Sequence, residues 1–373
     1  MKLPDVLSSA GANASKRVSR WFPVPRYLDV PSVGVDVSDA SIKWLALERR
    51  DGGKQVRSWG ELPLESGIVV NGAVKSPEKL AEALRDVRSA CGAIRCAHAA
   101  LPEEDAYVFT VPVPPSSSRA QIQNLVEFEL EDRVPLPGAA AVYDFDDIQS
   151  GGNEPNEVGV VVFPKELAEN YVAAFARADF QLLSLELEAS SIARTVMGPG
   201  SKEVTLLVDF GRARTGLALL KRGVPIFTST VAVGGDSMMR AVMDKLGLSE
   251  EEALRFNNDQ GLIPEEGKQS PGLDALSGVA SALADEVARH YHYWDTRRDE
   301  RGERMTPVER VLLVGGSANL KGLSDYIAAR VQARVEKPNV WQRVCSFDDY
   351  IPPIDRYRSM QFATAIGLAL RAF

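Results

Sequence analysis

Two carboxylates, Asp36 and Asp209, stand in the same setting 173 residues apart. Each ends an apolar run, Val33-Gly-Val-Asp36 and Leu206-Leu-Val-Asp209, and a short loop and a second apolar run follow each. At this fixed offset Val35 meets Val208, Ser38 meets Gly211 and Leu47 meets Leu220. Both stretches read as strand, tight turn, strand, with a carboxylate at the turn. One such hairpin is ordinary; its repetition at long period points to a duplicated chain. A third loop, Gly315-Gly316-Ser317, follows the buried apolar stretch from Val308. Carboxylates facing each other across a cleft repel unless a divalent cation, with its bound waters, lies between them. Turn amides can face an anion, and paired glycines let backbone approach a flat ligand. The loops Asp36 to Ser41, Asp209 to Thr215 and Val314 to Asn319 therefore predict a Mg-nucleotide held between two lobes.

Other chemistry finds little support. Gly261-Leu-Ile-Pro-Glu-Glu-Gly267-Lys268-Gln269 imitates a phosphate-binding P-loop but has one residue too many between its glycines. It also lacks Ser or Thr after the lysine and carries two carboxylates where phosphates would sit. The fingerprints of dinucleotide folds, serine hydrolases and zincins are absent from the sequence. Cys91, Cys96 and His98 lack a nearby fourth ligand and read as buried core residues. His290 and His292 are two apart, so on one helix they point to different faces.

The elements that must position the loops can be read from periodicity. The hairpin from Val33 to Leu47 passes through the Asp51-Gly-Gly53 turn into a third strand, Gln55 to Leu64. Ser76 followed by Pro77 starts a helix to about Ala90, and Ala97 to Leu101 is a short buried strand. A change of character follows: strand Tyr107 to Val113, a helix from Arg119 to Arg133 capped at Ser116 to Ser118, strands Ala141 to Ile148 and Val158 to Phe163, and helix Lys165 to Ala178. Strand Leu182 to Leu187 leads into a helix from Glu188. After the second hairpin, strand Ile226 to Val233 ends at Gly234-Gly235-Asp236, and a helix runs to Leu246. Ser249 to Glu252 is a capping box, residues 258–274 read as an exposed loop, and a long helix spans Ala275 to Arg298. Helices from Leu323 to about Val335 and from Ser359 to Leu370 close the chain, the last apolar almost all round and so buried.

Composition is that of a globular protein, with 25% charged and 45% hydrophobic residues in 373. A net charge of -8 argues against nucleic acid as a partner. Three cysteines suit a reducing compartment, and neither a run of about 18 apolar residues nor a signal-peptide pattern is found, so a cytoplasmic protein is expected. Residues 1–26 carry Lys2, Lys16, Arg17, Arg20 and Arg26 among scattered Leu3, Val6, Leu7, Val18, Trp21 and Phe22. They read either as a flexible arm or as a short basic amphipathic helix that touches a membrane surface or a partner.

The ordered motifs resemble the actin-like ATPase superfamily and, more narrowly, the type IV pilus assembly PilM family, related to the cell-division actin FtsA. The likeness runs from residue 33 to 373. Besides the three loops it rests on Phe128-Glu-Leu-Glu-Asp-Arg-Val-Pro-Leu-Pro137, Leu185-Glu-Leu-Glu188-Ala, Val233-Gly-Gly-Asp236 and Phe362-Ala-Thr-Ala-Ile-Gly-Leu-Ala-Leu370. The resemblance implies an α/β, actin-like (ribonuclease H-like), two-lobed duplicated fold with an inserted subdomain. It divides the chain into a basic extension (1–30), lobe one (31–102, 181–200 and 356–373), an α+β insert for partner binding (103–180) and lobe two (201–355, with 236–304 as its outer part).

It also implies roles. Asp36 and Asp209 would face Mg; the amides around Ser38, Asp39 and Ala40, with Lys43 near them, would hold the terminal phosphates of ATP, and Ser41 would also contact the nucleotide. Gly211, Arg212, Thr215 and Gly235 would complete the second clamp, Gly315, Gly316 and Ser317 would line the adenosine pocket, and Glu188 would orient an attacking water. The implied partner is the cytoplasmic tail of a PilN-like inner-membrane protein, with motor ATPases linked indirectly, at the inner face of the cytoplasmic membrane. Ser38 stands where relatives carry glycine, Asp39 adds a carboxylate, and Arg212-Ala-Arg214 replaces small residues; these arginines read by default as a solvated pair, with phosphate or Asp39 as the other partners open to them. Leu254 and Asn257 stand where relatives offer Glu and Lys to adenosine. Binding with at most slow hydrolysis is the expectation. An FtsA-like membrane-associated division actin and a small-molecule kinase of the same superfamily are the alternatives.

Overall fold

A computed structural model describes residues 30–50, 53–148, 156–198, 200–263, 271–298, 302 and 305–373. The basic arm, the loop after Ile148 and most of the P-loop-like stretch therefore lie outside the described residues. In chain order the strands are β1 Ser32–Val37, β2 Ser41–Arg50, β3 Gly53–Pro63, β4 Val69–Val70, β5 Ala73–Val74, β6 Cys96–Leu101, β7 Tyr107–Pro112, β8 Ala141–Ile148, β9 Glu157–Pro164, β10 Gln181–Leu187, β11 Val204–Phe210, β12 Thr215–Lys221, β13 Val224–Val231, β14 Arg310–Val314 and β15 Val335–Glu336. The helices are α1 Pro77–Ala90, α2 Arg119–Arg133, α3 Lys165–Arg177, α4 Glu188–Val196, α5 Gly235–Leu246, α6 Glu250–Asp259, α7 Pro271–Thr296, α8 Leu323–Val331, α9 Arg356–Ser359 and α10 Ala363–Ala369.

The duplication read from the two hairpins extends to whole sheets. One five-stranded sheet has the order β3-β2-β1-β6-β10 and the other β13-β12-β11-β14-β15. In each, the first three strands are antiparallel neighbours, and the last two run parallel to the carboxylate strand. Register repeats as well: Asp36 pairs with Lys43 in one sheet and Asp209 with Gly216 in the other. Parallel strands buried on both faces favour unbroken apolar runs, as in β1, β6 and β14. Val33, Val35, Leu45, Val311 and Leu313 are fully buried there, each side chain contributing about 1.5–3 kcal/mol on removal from water.

Helix α10 seals lobe one against β1 and α4. A Cβ on Gly367 would stand 1.9 Å from Ser191 O, so only glycine allows this crossing. Thr195 Oγ1 and Ser191 Oγ donate to Ala363 O and Thr364 O across it, at 2.8 and 2.6 Å. The closing segment is a 3-10 turn at Met360–Phe362 followed by α10, buried throughout as its composition requires.

Within residues 103–180 lies a second, smaller core. Val126 and Leu130 of α2 pack on Val158, Val160 and Val162 of the three-stranded sheet β7-β9-β8. Ser118 and Gln121 form a reciprocal capping box at the start of α2. Helix α3 contributes instead to the large core through Leu167, Tyr171, Ala174 and Phe175, and packs on α1. It belongs by packing with lobe one.

Two helix boundaries differ from the periodicity reading, and two short elements were not part of it. Helix α7 begins at Pro271 within the expected loop 258–274, with proline at its first position. Helix α8 ends before Gln332, which adopts a left-handed φ of 54°. The chain is thereby released to form β15, whose two residues are too short for any period to reveal. Hairpin β4–β5 escapes sequence reading for the same reason.

Candidate functional site

Ligands of open parallel sheets gather at the carboxyl ends of the strands. Here those ends meet in a cleft of about 820 Å³ between the lobes. Asp36 ends β1, Glu103 follows β6 and Glu188 follows β10; Asp209 ends β11 and Gly315 follows β14. All five line the cleft, as do Ser38, Asp39, Ala40, Ser41, Lys43, Gly211, Arg212, Gly235, Gly316 and Ser317. Thr215 does not. It is fully buried behind the turn, and its hydroxyl donates to Val233 O at 2.6 Å, holding the segment that follows β13. The structure thus puts it behind the second clamp, supporting the turn from the rear.

The β1–β2 turn is closed by its own serines. Ser38 N and Oγ both donate to Ser41 O at 2.9 Å, and Ser41 N donates to Ser38 Oγ at 3.2 Å. The Ser38 and Ser41 amides are therefore both engaged within the turn. Among the described residues, the Asp39 and Ala40 amides have no such acceptor. The Asp39 carboxylate accepts from Asn71 N and Gly72 N at 2.9 Å each and from Arg214 Nη1 at 2.9 Å. It does not stand bare beside an incoming anion. Lys43 Nζ donates to Ser41 Oγ at 3.0 Å and lies 3.8 Å from Glu61 Oε1.

The lobe-two loops are tied to one another through Gly211 O, which accepts from Ser317 Oγ at 2.9 Å and from Gly235 N at 3.0 Å. Gly315 holds a φ of 91°, and a Cβ there would stand 2.4 Å from Asp209 Oδ1. The second loop's arginines divide. Arg212 is exposed and paired to Asp236 at 2.9 Å, while Arg214 is largely buried and crosses to Asp39 and Glu104.

Charge in the cleft is unbalanced. Burial raises the carboxyls of Asp36, Glu103 and Glu188 above their ordinary range, Glu188 furthest because Glu103 and Asp36 also face it. Asp209 is pushed up to about 7 by burial and by the charges of Glu103 and Asp36. Glu104 is also pushed up to about 7, by burial, against the pull of Arg214. Such a cluster takes up either protons or cations. Among the described residues no three His, Cys, Asp or Glu side chains converge to hold a metal directly. A Mg ion that keeps its waters suits this arrangement, since it needs only one or two carboxylates.

The far end of the cleft is of another kind. Met238, Met239 and Leu254 give it an apolar wall, and Asn257 Oδ1 is buried without a hydrogen-bond partner among the described residues. An orphaned buried polar atom beside an apolar wall suits a flat heterocycle with polar edges. Leu254 and Asn257, noted in the sequence for their departure from relatives, both lie here.

Sequence reading did not single out Glu103, Glu104 and Glu61. A signal was present: Glu103 follows its strand as Asp36 and Glu188 mark the ends of theirs, and the strand to Leu101 was legible.

Two like sheets with ligand loops at facing strand ends define an actin-like fold. The family described as "Type IV pilus assembly protein PilM" matches residues 34–373. The chain belongs to this family. It is similar to the solved "PilM-PilN type IV pilus biogenesis complex", at 21% identity and TM-score 0.71 over 92% of this chain and 99% of that one. The ethanolamine utilization protein EutJ from Carboxydothermus hydrogenoformans is 17% identical, with TM-score 0.52 over 91% and 88% of the two chains. MreB5 of Spiroplasma citri, solved with ADP bound, is 11% identical, with TM-score 0.53 over 91% and 95%.

Proposed function

We propose that this chain is a nucleotide-binding actin-like scaffold of type IV pilus assembly, acting in the cytoplasm at the inner face of the membrane. It binds Mg-ATP between its lobes, and the tail of a PilN-like inner-membrane protein on or beside the insert. The observation that carries the nucleotide reading is the meeting of Asp36, Asp209 and the Gly315 loop at facing strand ends. The partner reading is supported by family membership and by the similar structure, whose title pairs PilM with PilN.

When bound, Mg would neutralise phosphate charge. Asp36 and Asp209 would orient its waters, the Asp39 and Ala40 amides and Lys43 would receive the terminal phosphates, and Asn257 with the Met238–Met239 wall would receive the base. Glu188 would orient water, but burial and the facing Glu103 raise its carboxyl well above the ordinary range, which works against its ionisation as a base. The cleft therefore favours holding ATP over hydrolysing it.

Titration calorimetry tests the reading. The wild type should bind Mg-ATP, and Asp209→Ala should lose at least about a hundredfold in affinity while keeping its circular dichroism spectrum. Unchanged affinity in that variant would sink the cleft assignment. For the partner, deleting residues 103–164 should abolish binding of a PilN-like tail peptide; retained binding by a folded remainder would sink that part.

A further inference from the structure

Arg214 belongs to lobe two but finds its partners across the cleft, in the β1–β2 turn of lobe one and just after β6. It leaves the β11–β12 loop, donates from Nη1 to Asp39 Oδ2 at 2.9 Å, and pairs through Nε with Glu104. Its side chain is only 21% exposed, against 66% for Arg212. Neither carboxylate depends on Arg214 alone. Asp39 also accepts from the Asn71 and Gly72 amides, and the Glu104 carboxyl is held near neutrality by burial.

The guanidinium thus lies between the two turns whose backbones line opposite sides of the cleft. A terminal phosphate seated on the Asp39 and Ala40 amides and facing Gly211 would stand within its reach. Guanidinium matches phosphate in a planar, bidentate way that neither Lys43 nor a backbone amide can copy. A nucleotide one phosphate shorter would not reach that position, and Arg214 would stay on Asp39 and Glu104.

We infer that Arg214 is the specificity-determining residue of the cleft: it reads the terminal phosphate, passing from Asp39 and Glu104 to the ligand when a triphosphate is bound. This rests on the nucleotide reading given above. The lobe-to-lobe strap is then closed by carboxylates without ligand or with a diphosphate, and by phosphate with a triphosphate. Glu104 acts as a competitor that lowers triphosphate affinity.

The test is a pair of titrations, Mg-ATP and Mg-ADP, on the full chain of the wild type and of Arg214→Gln and Glu104→Gln. In Arg214→Gln the preference for ATP over ADP should fall about tenfold or more, with ADP affinity changed less than about threefold. Glu104→Gln should raise ATP affinity and leave ADP affinity in place; this keeps the test decisive if Arg214→Gln fails to fold. Equal weakening of both nucleotides in Arg214→Gln, or an unaltered ATP-to-ADP ratio in both variants, overturns the inference alone. Failure of the wild type to bind either nucleotide overturns the cleft reading and the inference with it.

Discussion

Glu103 and Glu188 hydrogen-bond to each other, carboxyl to carboxyl, while Glu103 Oε1 also accepts from Ala189 N at 2.9 Å. Two carboxyls can share such a bond only while one keeps a proton. The pair sits beside Asp36 and Asp209, both also raised by burial. Burial and mutual repulsion thus work against full ionisation of these carboxyls, where an incoming cation would favour their anionic forms.

Nucleotide binding should therefore release protons. With Asp209 at about 7, Mg-ATP must displace its proton below that pH and need not above it. Affinity should rise from pH 6 to pH 8, approaching about tenfold per pH unit on the acid side for each proton displaced. Calorimetry in two buffers of different ionisation enthalpy measures the release directly. Equal heats in both, together with a flat affinity, would refute the linkage.

The same group makes a stability statement of opposite use. Asp209 is raised from 3.8 to about 7 by folding. Between those values the unfolded chain gives up its proton while the folded chain keeps it, so the contribution to stability falls as pH rises. The loss is complete above about 7. Asp209→Asn should be more stable than wild type at pH 8, by on the order of 4 kcal/mol, with little gain at pH 4. Urea titrations at the two pH values check this, and a variant less stable at pH 8 would contradict it.

The sequence made the site legible where chemistry was carried by local pattern. Asp36 and Asp209 were readable because each ends an apolar run and the pattern recurs, and the sheets repeat the order that this recurrence implies. Glu103 and Glu104 escaped because nothing local sets them apart from other acidic residues; their meaning comes from β6 lying parallel between β1 and β10. The internal closure of the first turn was not legible, because spacing alone cannot show that Ser38 N and Oγ both donate to the Ser41 carbonyl. The Arg214 pairing with Asp39 stood in the sequence only as an alternative to a solvated arginine, since 175 residues separate the two in the chain.

Two glycine substitutions separate close approach from helix propensity. Gly315→Ala puts a Cβ 2.4 Å from Asp209 Oδ1 and 2.5 Å from Phe210 O, on a residue with φ of 91°. It should cost about 2 kcal/mol or more and weaken Mg-ATP binding by displacing Asp209. Gly278, inside α7, has nothing within 4 Å of its Cβ position. Gly278→Ala should stabilise by about 0.5–1 kcal/mol and leave binding untouched. Thermal melts and nucleotide titrations on the two variants give the comparison, and similar effects from both would overturn this reading of Gly315.

Tyr171 carries the last prediction, because it links the first loop to the helix that follows the insert. Its hydroxyl, fully buried on α3, donates to Gly72 O at 2.9 Å. The amides of Asn71 and Gly72, in the β4–β5 turn, in turn hold the two oxygens of Asp39. Asn71 and Gly72 both lie at positive φ, 51° and 74°, so the turn needs outside support to keep its shape. Tyr171→Phe removes one hydrogen bond and leaves Gly72 O buried, at a cost of about 1–2 kcal/mol. The larger local effect should be faster hydrogen exchange at the Asn71 and Gly72 amides, since their acceptor is no longer held in register. Because α3 continues directly from β9 of the insert, the same exchange measurement with the tail peptide added reports whether its binding reaches Asp39. Unchanged exchange at both amides in Tyr171→Phe would show that Asp39 is positioned without this hydroxyl.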